Sequence, residues 1–220
     1  MNVAVVIPSY NASASLPALL ERTLPFVPKE RIIVVNDGST DGTAAAAGAF
    51  GVTVLSHGVN RGKGAALRTG FDQCRTIACD AVITMDADLQ HEPESIPRFI
   101  SRCEETGSDI VIGSRMQDIA SMPIHRRASN TITSALVRWR TGATISDSQS
   151  GYRCIRRRVL DLFTVSADGF EAETEFLLKA AAYGCSFSSV PIKTIYAGEK
   201  SHMTHVRTTV QFIRVLMKRY

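Results

Sequence analysis

Five short, nearly unbroken apolar runs constrain this chain more than any other feature. They lie at residues 3–7, 32–35, 52–55, 81–85 and 109–112. Each is too short for a helix, and Val and Ile dominate them. Apolar residues without alternation mark a strand covered on both faces, as in parallel sheets sandwiched by helices. Helical signals fill the gaps. Ser13 is positioned to cap a helix carrying Leu16, Leu19 and Leu20, with Pro17 delaying its start. Asp41 and Thr43 open an Ala-rich helix running to Phe50. Residues 63–78 place Ala66, Leu67, Gly70, Phe71 and Cys74 on one face, and Pro93 opens a helix carrying Ile96, Phe99, Ile100 and Cys103. Repeated strand–helix–strand units predict an α/β fold with right-handed crossovers and a mostly parallel central sheet flanked by helices.

The second half is less regular. It reads as a basic helix over 123–140, a short strand over 151–155, a helix from about Arg157, a helix over 171–183, an extended segment over 188–192 and a final helix over 206–220. No linker, repeat or low-complexity stretch interrupts the chain. The expectation is one domain, 1–220, with a regular half (1–113) and a specialised half (114–220).

Composition excludes several classes. Hydrophobic residues make up 45% of the 220, so a core is affordable and disorder is not expected. No run approaches the ~20 apolar residues that span a bilayer. The chain enters its first strand directly, without the basic and apolar regions of a leader, which predicts a cytoplasmic protein. A net charge of +4 is too small to imply nucleic acid, although much of the excess lies after residue 114. The five cysteines include no Cys-x-x-Cys pair and are expected to be reduced, buried thiols.

Chemistry concentrates where strands end. Asp86-Ala87-Asp88-Leu89-Gln90 follows the fourth run, at the carboxyl edge where open α/β sheets bind ligands. Two carboxylates and an amide oxygen are hard donors suited to Mg²⁺ or Mn²⁺, which bind through one or two carboxylates plus substrate phosphates. The first two runs end in loops of small polar residues, Pro8-Ser9-Tyr10-Asn11 and Asn36-Asp37-Gly38-Ser39-Thr40-Asp41-Gly42. Asp37 could accept hydrogen bonds from a base or ribose; the same residues also suit ordinary turns. Asn60-Arg61-Gly62-Lys63-Gly64 fails the Walker pattern, with His57 and Gly64 where Gly and a hydroxyl are required. It nonetheless puts Arg61, Lys63 and a helix start near the same edge, favourable for an anion.

Together, and in this order, these segments resemble the family 2 inverting glycosyltransferases, which have the nucleotide-sugar-binding GT-A fold. The resemblance extends through Gly113-Ser114-Arg115, Asp147-Ser148-Gln149-Ser150-Gly151-Tyr152-Arg153 and Gly169-Phe170-Glu171-Ala172-Glu173-Thr174-Glu175. That set looks like the dolichol-phosphate mannose synthase and polyprenyl-phosphate glycosyltransferase branch. It implies transfer of a sugar from a nucleoside diphosphate sugar to a polyprenyl phosphate. Transfer to a sugar hydroxyl and a non-catalytic nucleotide-sugar-binding module are the alternatives. In this reading Pro8, Tyr10, Asn11, Asp37, Lys63, Asp86 and Ala87 hold the donor, and Asp88 and Gln90 ligate Mg²⁺ or Mn²⁺. Asp86, Asp88 and Asp147 are catalytic. Arg115 and Arg126, with Arg127 as alternative to the latter, bind the acceptor phosphate. A hydroxyl acceptor would need a base, and Asp147 and the Glu171/Glu173/Glu175 cluster are the acidic candidates.

One departure from the branch is visible. Its Arg-rich segment corresponds here to residues 194–202, whose only cations besides neighbouring Lys193 are Lys200 and His202. A peripheral contact at the inner face of the membrane is expected through two helices. Residues 131–140 carry Ile132, Ala135, Leu136 and Trp139 at helical spacing among cations, and the final helix carries Val206, Val210, Ile213 and Met217. The competing expectation is that these stripes face the core or a second copy of the chain.

Overall fold

The computed structural model describes residues 1–116, 124–193 and 205–220, with side chains described from residue 127 in the second segment and from 209 in the third. Seven strands form one sheet: β1 (Val3–Ser9), β2 (Ile32–Asp37), β3 (Thr53–His57), β4 (Ala81–Thr84), β5 (Ile110–Ser114), β6 (Arg153–Arg156) and β7 (Phe187–Pro191). Their spatial order is β3-β2-β1-β4-β6-β5-β7. All pairings are parallel except those of β6, which runs antiparallel to both β4 and β5. β4 and β5, joined by one helix, do not lie side by side. β6 instead inserts between them from 40 residues downstream, a long-range pairing that no local pattern encodes.

The pleat divides the core. Val3, Val5 and Ile7 face one layer with Ile32, Val34 and Ile83, under α1 (Leu16–Thr23), α2 (Thr43–Gly48) and α4 (Ile96–Thr106). Ala4 and Val6 face the other with Ile33, Val35 and Val82, under α3 (Lys63–Thr76), α6 (Arg157–Leu162) and α7 (Ala172–Ala182). Each fully buried aliphatic side chain contributes about 1.5–3 kcal/mol relative to exposure. Helices α5 (Ile124–Thr141) and α8 (His205–Met217) close the second layer through Val137, Val215 and Leu216.

Several helix starts differ from expectation. The residue preceding α1 is Ser15, not Ser13, and its hydroxyl donates to the Ala87 carbonyl (2.6 Å) instead of capping the helix. The Ala-rich helix α2 stops at Gly48, short of Phe50. Pro93 opens a single 3-10 turn, Pro93–Ser95, before α4 begins, and Gly107 ends α4 in the left-handed region (φ 65°). The cysteines are free thiols as expected, all buried except half-buried Cys79.

The antiparallel β6 has a consequence for function. Because it enters the sheet from the opposite direction, the segment before it lies at the same edge as the ends of β1, β2 and β4. Arg153 is paired with Thr84, whose hydroxyl donates to the Gly151 carbonyl (2.7 Å).

Candidate active site

The loops after β1 and β2 are stitched together. Asn11 adopts φ 50°, its N–H donates to Ser39 Oγ (2.9 Å), and its Oδ1 accepts from the Thr40 N–H (2.9 Å). Asp41 accepts from the Ser13 N–H and from the Thr43 N–H and hydroxyl, and these bonds hold its carboxyl well below the usual range. Pro8 is half-buried and Tyr10 is 48% exposed, so the ring is presented to solvent at this edge.

Asp37 lies beneath the edge. It is 3% exposed, and its carboxylate accepts from the Arg61 N–H (2.9 Å) and Gly62 N–H (2.7 Å) and meets His57 Nδ1 at 2.6 Å. The other His57 nitrogen meets Thr69 Oγ1 on α3 (2.9 Å). Asp37 thus fastens the loop that opens α3, and a base or ribose reaching this carboxylate would compete with three existing partners. The α3 start is also not an open anion site. The Gly64 and Ala65 N–H groups donate to the Asp168 carbonyl (2.6 and 3.3 Å). That approach requires glycine at 62: its φ is +96°, and a Cβ there would sit 2.4 Å from the same carbonyl.

Lys63 is the centre of the edge. Its Nζ lies 2.5 Å from Asp86 Oδ1 and 2.9 Å from Glu173 Oε1, and Glu173 Oε2 meets Arg153 at 2.8 Å. Burial alone would favour neutral groups here. The opposite charges outweigh it, raising the Lys63 ammonium above its ordinary range and holding the Asp86 carboxyl at about 2. A Cβ on Gly151 would sit 3.0 Å from Lys63 Nζ and Glu173 Oε1, so a larger residue would push the cluster's side chains aside by a few tenths of an ångström. Below it, the Asp86 N–H donates to His91 Nδ1 (3.2 Å), and the His91 ring stacks on Tyr152 (5.0 Å). His91 is therefore a buried support, and burial lowers its pKa.

Asp88 differs from every carboxylate around it. Its Oδ1 accepts from the Gln90 N–H (3.0 Å), and no cation pairs with it among the described residues. Ala87 is buried, while Asp88, Leu89 and Gln90 are half-buried, with Leu89 at φ 60°. No cluster of three or more His, Cys, Asp or Glu suited to a metal occurs among the described residues. The donor set still fits Mg²⁺ or Mn²⁺, because these ions take one or two carboxylates and complete their shell with water and phosphate oxygens.

On the acceptor side, Arg115 clamps Asp147 bidentately through Nε (2.7 Å) and Nη2 (2.8 Å). Asp147 is fully buried and also accepts from the Gln149 N–H, so it has no exposed oxygen with which to act as a base. Glu175 is likewise engaged by Lys179 and by Ser166 and Ala167. Among the carboxylates of the described residues, Glu171 alone keeps a buried oxygen, Oε2, without a partner. Arg127 is exposed on α5; the Arg126 side chain and residues 194–202 lie outside what the structure describes. The structure thus brings Lys63, Asp86, Glu173 and Arg153 together and sets Asp37 and Asp147 beneath the surface. Of the two alternatives the sequence leaves for His91 beside Gln90, a supporting or a surface residue, the structure takes the first. The support from His57 escaped the sequence reading; its signal is the register opposite Asp37 on the neighbouring strand.

This architecture is that of a glycosyltransferase with the GT-A fold. Glucosyl-3-phosphoglycerate synthase from Mycobacterium tuberculosis, solved with Mn²⁺, uridine-diphosphate and phosphoglyceric acid, matches 98% of this chain and 77% of its own with a TM-score of 0.74. At 21% identity that likeness is one of fold. The chain belongs to glycosyl transferase family 2, whose model matches residues 4–163. It is 33% identical over 200 residues to a polyprenol monophosphomannose synthase of Mycolicibacterium smegmatis, covering 86% of this chain and 75% of the relative. It is 32% identical over 203 residues to an undecaprenyl-phosphate mannosyltransferase of Micrococcus luteus, covering 87% and 83%.

Proposed function

We propose that this enzyme is a metal-dependent inverting glycosyltransferase that moves a sugar from a nucleoside diphosphate sugar to a polyprenyl phosphate. The observation that carries the acceptor class is the pairing of the acidic residues around the edge. Asp147, Glu173 and Glu175 are each held by cations, and Asp86 by Lys63. A hydroxyl nucleophile needs a base, whereas a phosphate is already anionic and needs none. The named activities of the two relatives agree with that chemistry.

In this reading residues 1–113 hold the donor and 114–220 the acceptor. Pro8, Tyr10 and Asn11 line the nucleoside side, and Asp37 acts on it by fixing the loop at 61–62. Asp88 and Gln90 would hold Mg²⁺ or Mn²⁺, which would neutralise the diphosphate leaving group as a Lewis acid. Lys63 keeps Asp86 ionised and fixed, ready to accept hydrogen bonds from the donor beside Ala87. Asp147 orients the Arg115 guanidinium, whose fork geometry suits phosphate oxygens. Arg126, or Arg127 in its place, would supply the second cation to the acceptor phosphate.

A second reading, transfer to a sugar hydroxyl, has one observation in its favour. The unpartnered Oε2 of Glu171 is the only such carboxylate oxygen buried among the described residues. The test is release of nucleoside diphosphate from UDP-, GDP- and dTDP-sugars with a short polyprenyl phosphate, with Mn²⁺ or EDTA. We expect turnover that requires both lipid phosphate and metal and that survives Glu171→Gln. Turnover with a sugar acceptor, abolished by Glu171→Gln, overturns the lipid-phosphate reading.

A further inference from the structure

Helices α5 and α8 are each two-faced. On α5, Asn130, Ser134 and Val137 are buried against the protein. Ile132, Leu136 and Trp139 lie about half a turn round the helix and are 60%, 38% and 80% exposed. On α8, Val215 and Leu216 are buried, while Val210, Ile213 and Met217 are 44%, 51% and 76% exposed. The outward stripes follow i, i+4, i+7 and i, i+3, i+7 spacing, so each is continuous along its helix. The expectation that these residues face the core is therefore not met.

Both helices pack on α7 and meet at their C-terminal ends. Arg140 near the end of α5 donates to the Lys218 carbonyl just beyond α8 (3.3 Å). Neither α5 nor the segment from His205 to Tyr220 contains a single acidic residue. Arg127, Arg138, Arg140, Arg214, Lys218 and Arg219 are all exposed. Apolar stripes on helices that carry cations and no acidic residue are unsuited to a second copy of themselves, because like charges would meet around the contact. They are suited to a surface that is apolar beneath and anionic above.

We infer that α5 and α8 form a docking face for an anionic lipid surface, with the Trp139, Ile132 and Ile213 side chains entering the headgroup layer. No helix among the described residues is long and apolar enough to cross a membrane, so attachment by this face is peripheral. The face is mechanically joined to the edge of the sheet. Ser134 on the inner side of α5 accepts from the Ser148 N–H (2.9 Å), one residue from the Asp147 that orients Arg115. Docking would thus bring a lipid headgroup to the acceptor side. This deepens the lipid-phosphate reading, but its test needs no turnover, so the two can fail separately.

Trp139 is the only tryptophan in the chain and reports directly on the face. The intact protein is mixed with vesicles of phosphatidylcholine alone or with added phosphatidylglycerol, and emission and cosedimentation are measured. We expect a blue shift and sedimentation with the anionic vesicles only, reversed by high salt. Arg214→Glu should weaken that binding roughly tenfold or more, since it removes one attraction and adds one repulsion. Leu136→Asp with Ile213→Asp should abolish it while leaving the far-ultraviolet dichroism and the thermal midpoint near those of the parent. No shift with anionic vesicles overturns the inference, as does equal binding to neutral ones. So does an emission already blue-shifted in a protein that sediments as a dimer without lipid, which would make the face a contact between copies. Unchanged binding by the double variant also overturns it.

Discussion

The donor edge and the acceptor side use the same residue types in opposite ways. At the donor edge no cation among the described residues pairs with Asp88, and Asp86 shares one lysine with Glu173. On the acceptor side Asp147 and Glu175 are buried and each is clamped by a cation. A carboxylate left unpaired at a strand end is available for a metal; a carboxylate clamped by a guanidinium is an orienting device. The difference teaches that an acidic residue is assigned by its partners, and its place in a motif does not suffice.

The sharpest way to break this comparison is to remove the unpaired carboxylate. Asp88→Ala should lower kcat/KM by about 10³ or more, because the Lewis-acid contribution it supports is worth several kcal/mol. Its half-exposed side chain makes one local hydrogen bond, so unfolding stability should change by only about 0.5 kcal/mol. Denaturant titration and steady-state kinetics with Mn²⁺ check both. Full activity in EDTA or in the variant would remove the distinction between Asp88 and its neighbours.

Glu173→Ala attacks the residue that joins the two sides. It would leave Arg153, 3% exposed, and Lys63, 15% exposed, facing each other without a shared anion. Breaking a buried ion pair by removing one partner costs about 3–5 kcal/mol. A urea midpoint near that of the parent would show that the cluster is more hydrated than its burial indicates. Asp86→Asn should cost less stability and more activity, since Glu173 still neutralises Lys63.

Much of this contrast was legible beforehand, unevenly. The five apolar runs locate β1 to β5; for β1, β2, β4 and β5 the reason is that strands buried on both faces need uninterrupted aliphatic residues, whereas β3, at the sheet's edge, is only half-buried. The Asp-x-Asp turn was placed correctly at a strand end for the same reason. The position of β6 was not legible: its antiparallel insertion depends on a partner far along the chain. Asp37 and Asp147 show a second limit. Sequence puts both in edge loops, but whether a loop side chain turns out or under depends on backbone N–H groups and guanidiniums supplied from elsewhere. The stripes on α5 and α8 show a third. Helical spacing identified the apolar residues without telling which face the core would take, because Ser134 and Asn130, polar in sequence, are the buried side.

Asp147→Asn tests the acceptor side alone. If Asp147 orients Arg115, the amide retains one acceptor for the guanidinium and activity should fall less than about tenfold, mainly in the acceptor KM. A general base would lose about 10²–10⁴ in kcat. Stability should fall by about 2 kcal/mol as a charge-assisted, bidentate contact becomes neutral. A large kcat loss with an unchanged acceptor KM would return Asp147 to the role of base and make the two sides of the molecule alike.

The smallest effect concerns Glu175, 1% exposed, whose carboxylate holds the 166–167 backbone against α7. Burial pushes its pKa up, but the bonds from Lys179, Ser166 and Ala167 outweigh that and leave it below its ordinary value. A group with a lowered folded-state pKa stabilises the protein above the unfolded value of about 4.3, and that stability is lost as pH falls through the folded value. The urea midpoint should therefore decline on acidification below about pH 4.3, by about 1 kcal/mol from this residue. Glu175→Gln should lose that share at neutral pH and show a correspondingly flatter acid limb. Because Ala167 adjoins Asp168, whose carbonyl caps the start of α3, the variant should also loosen amide protection at Gly64 and Ala65. Hydrogen exchange at those two amides separates a local effect from general destabilisation. Protection unchanged there, with the same flattening of the acid limb, would show that the acceptor-side clamp does not reach the donor edge.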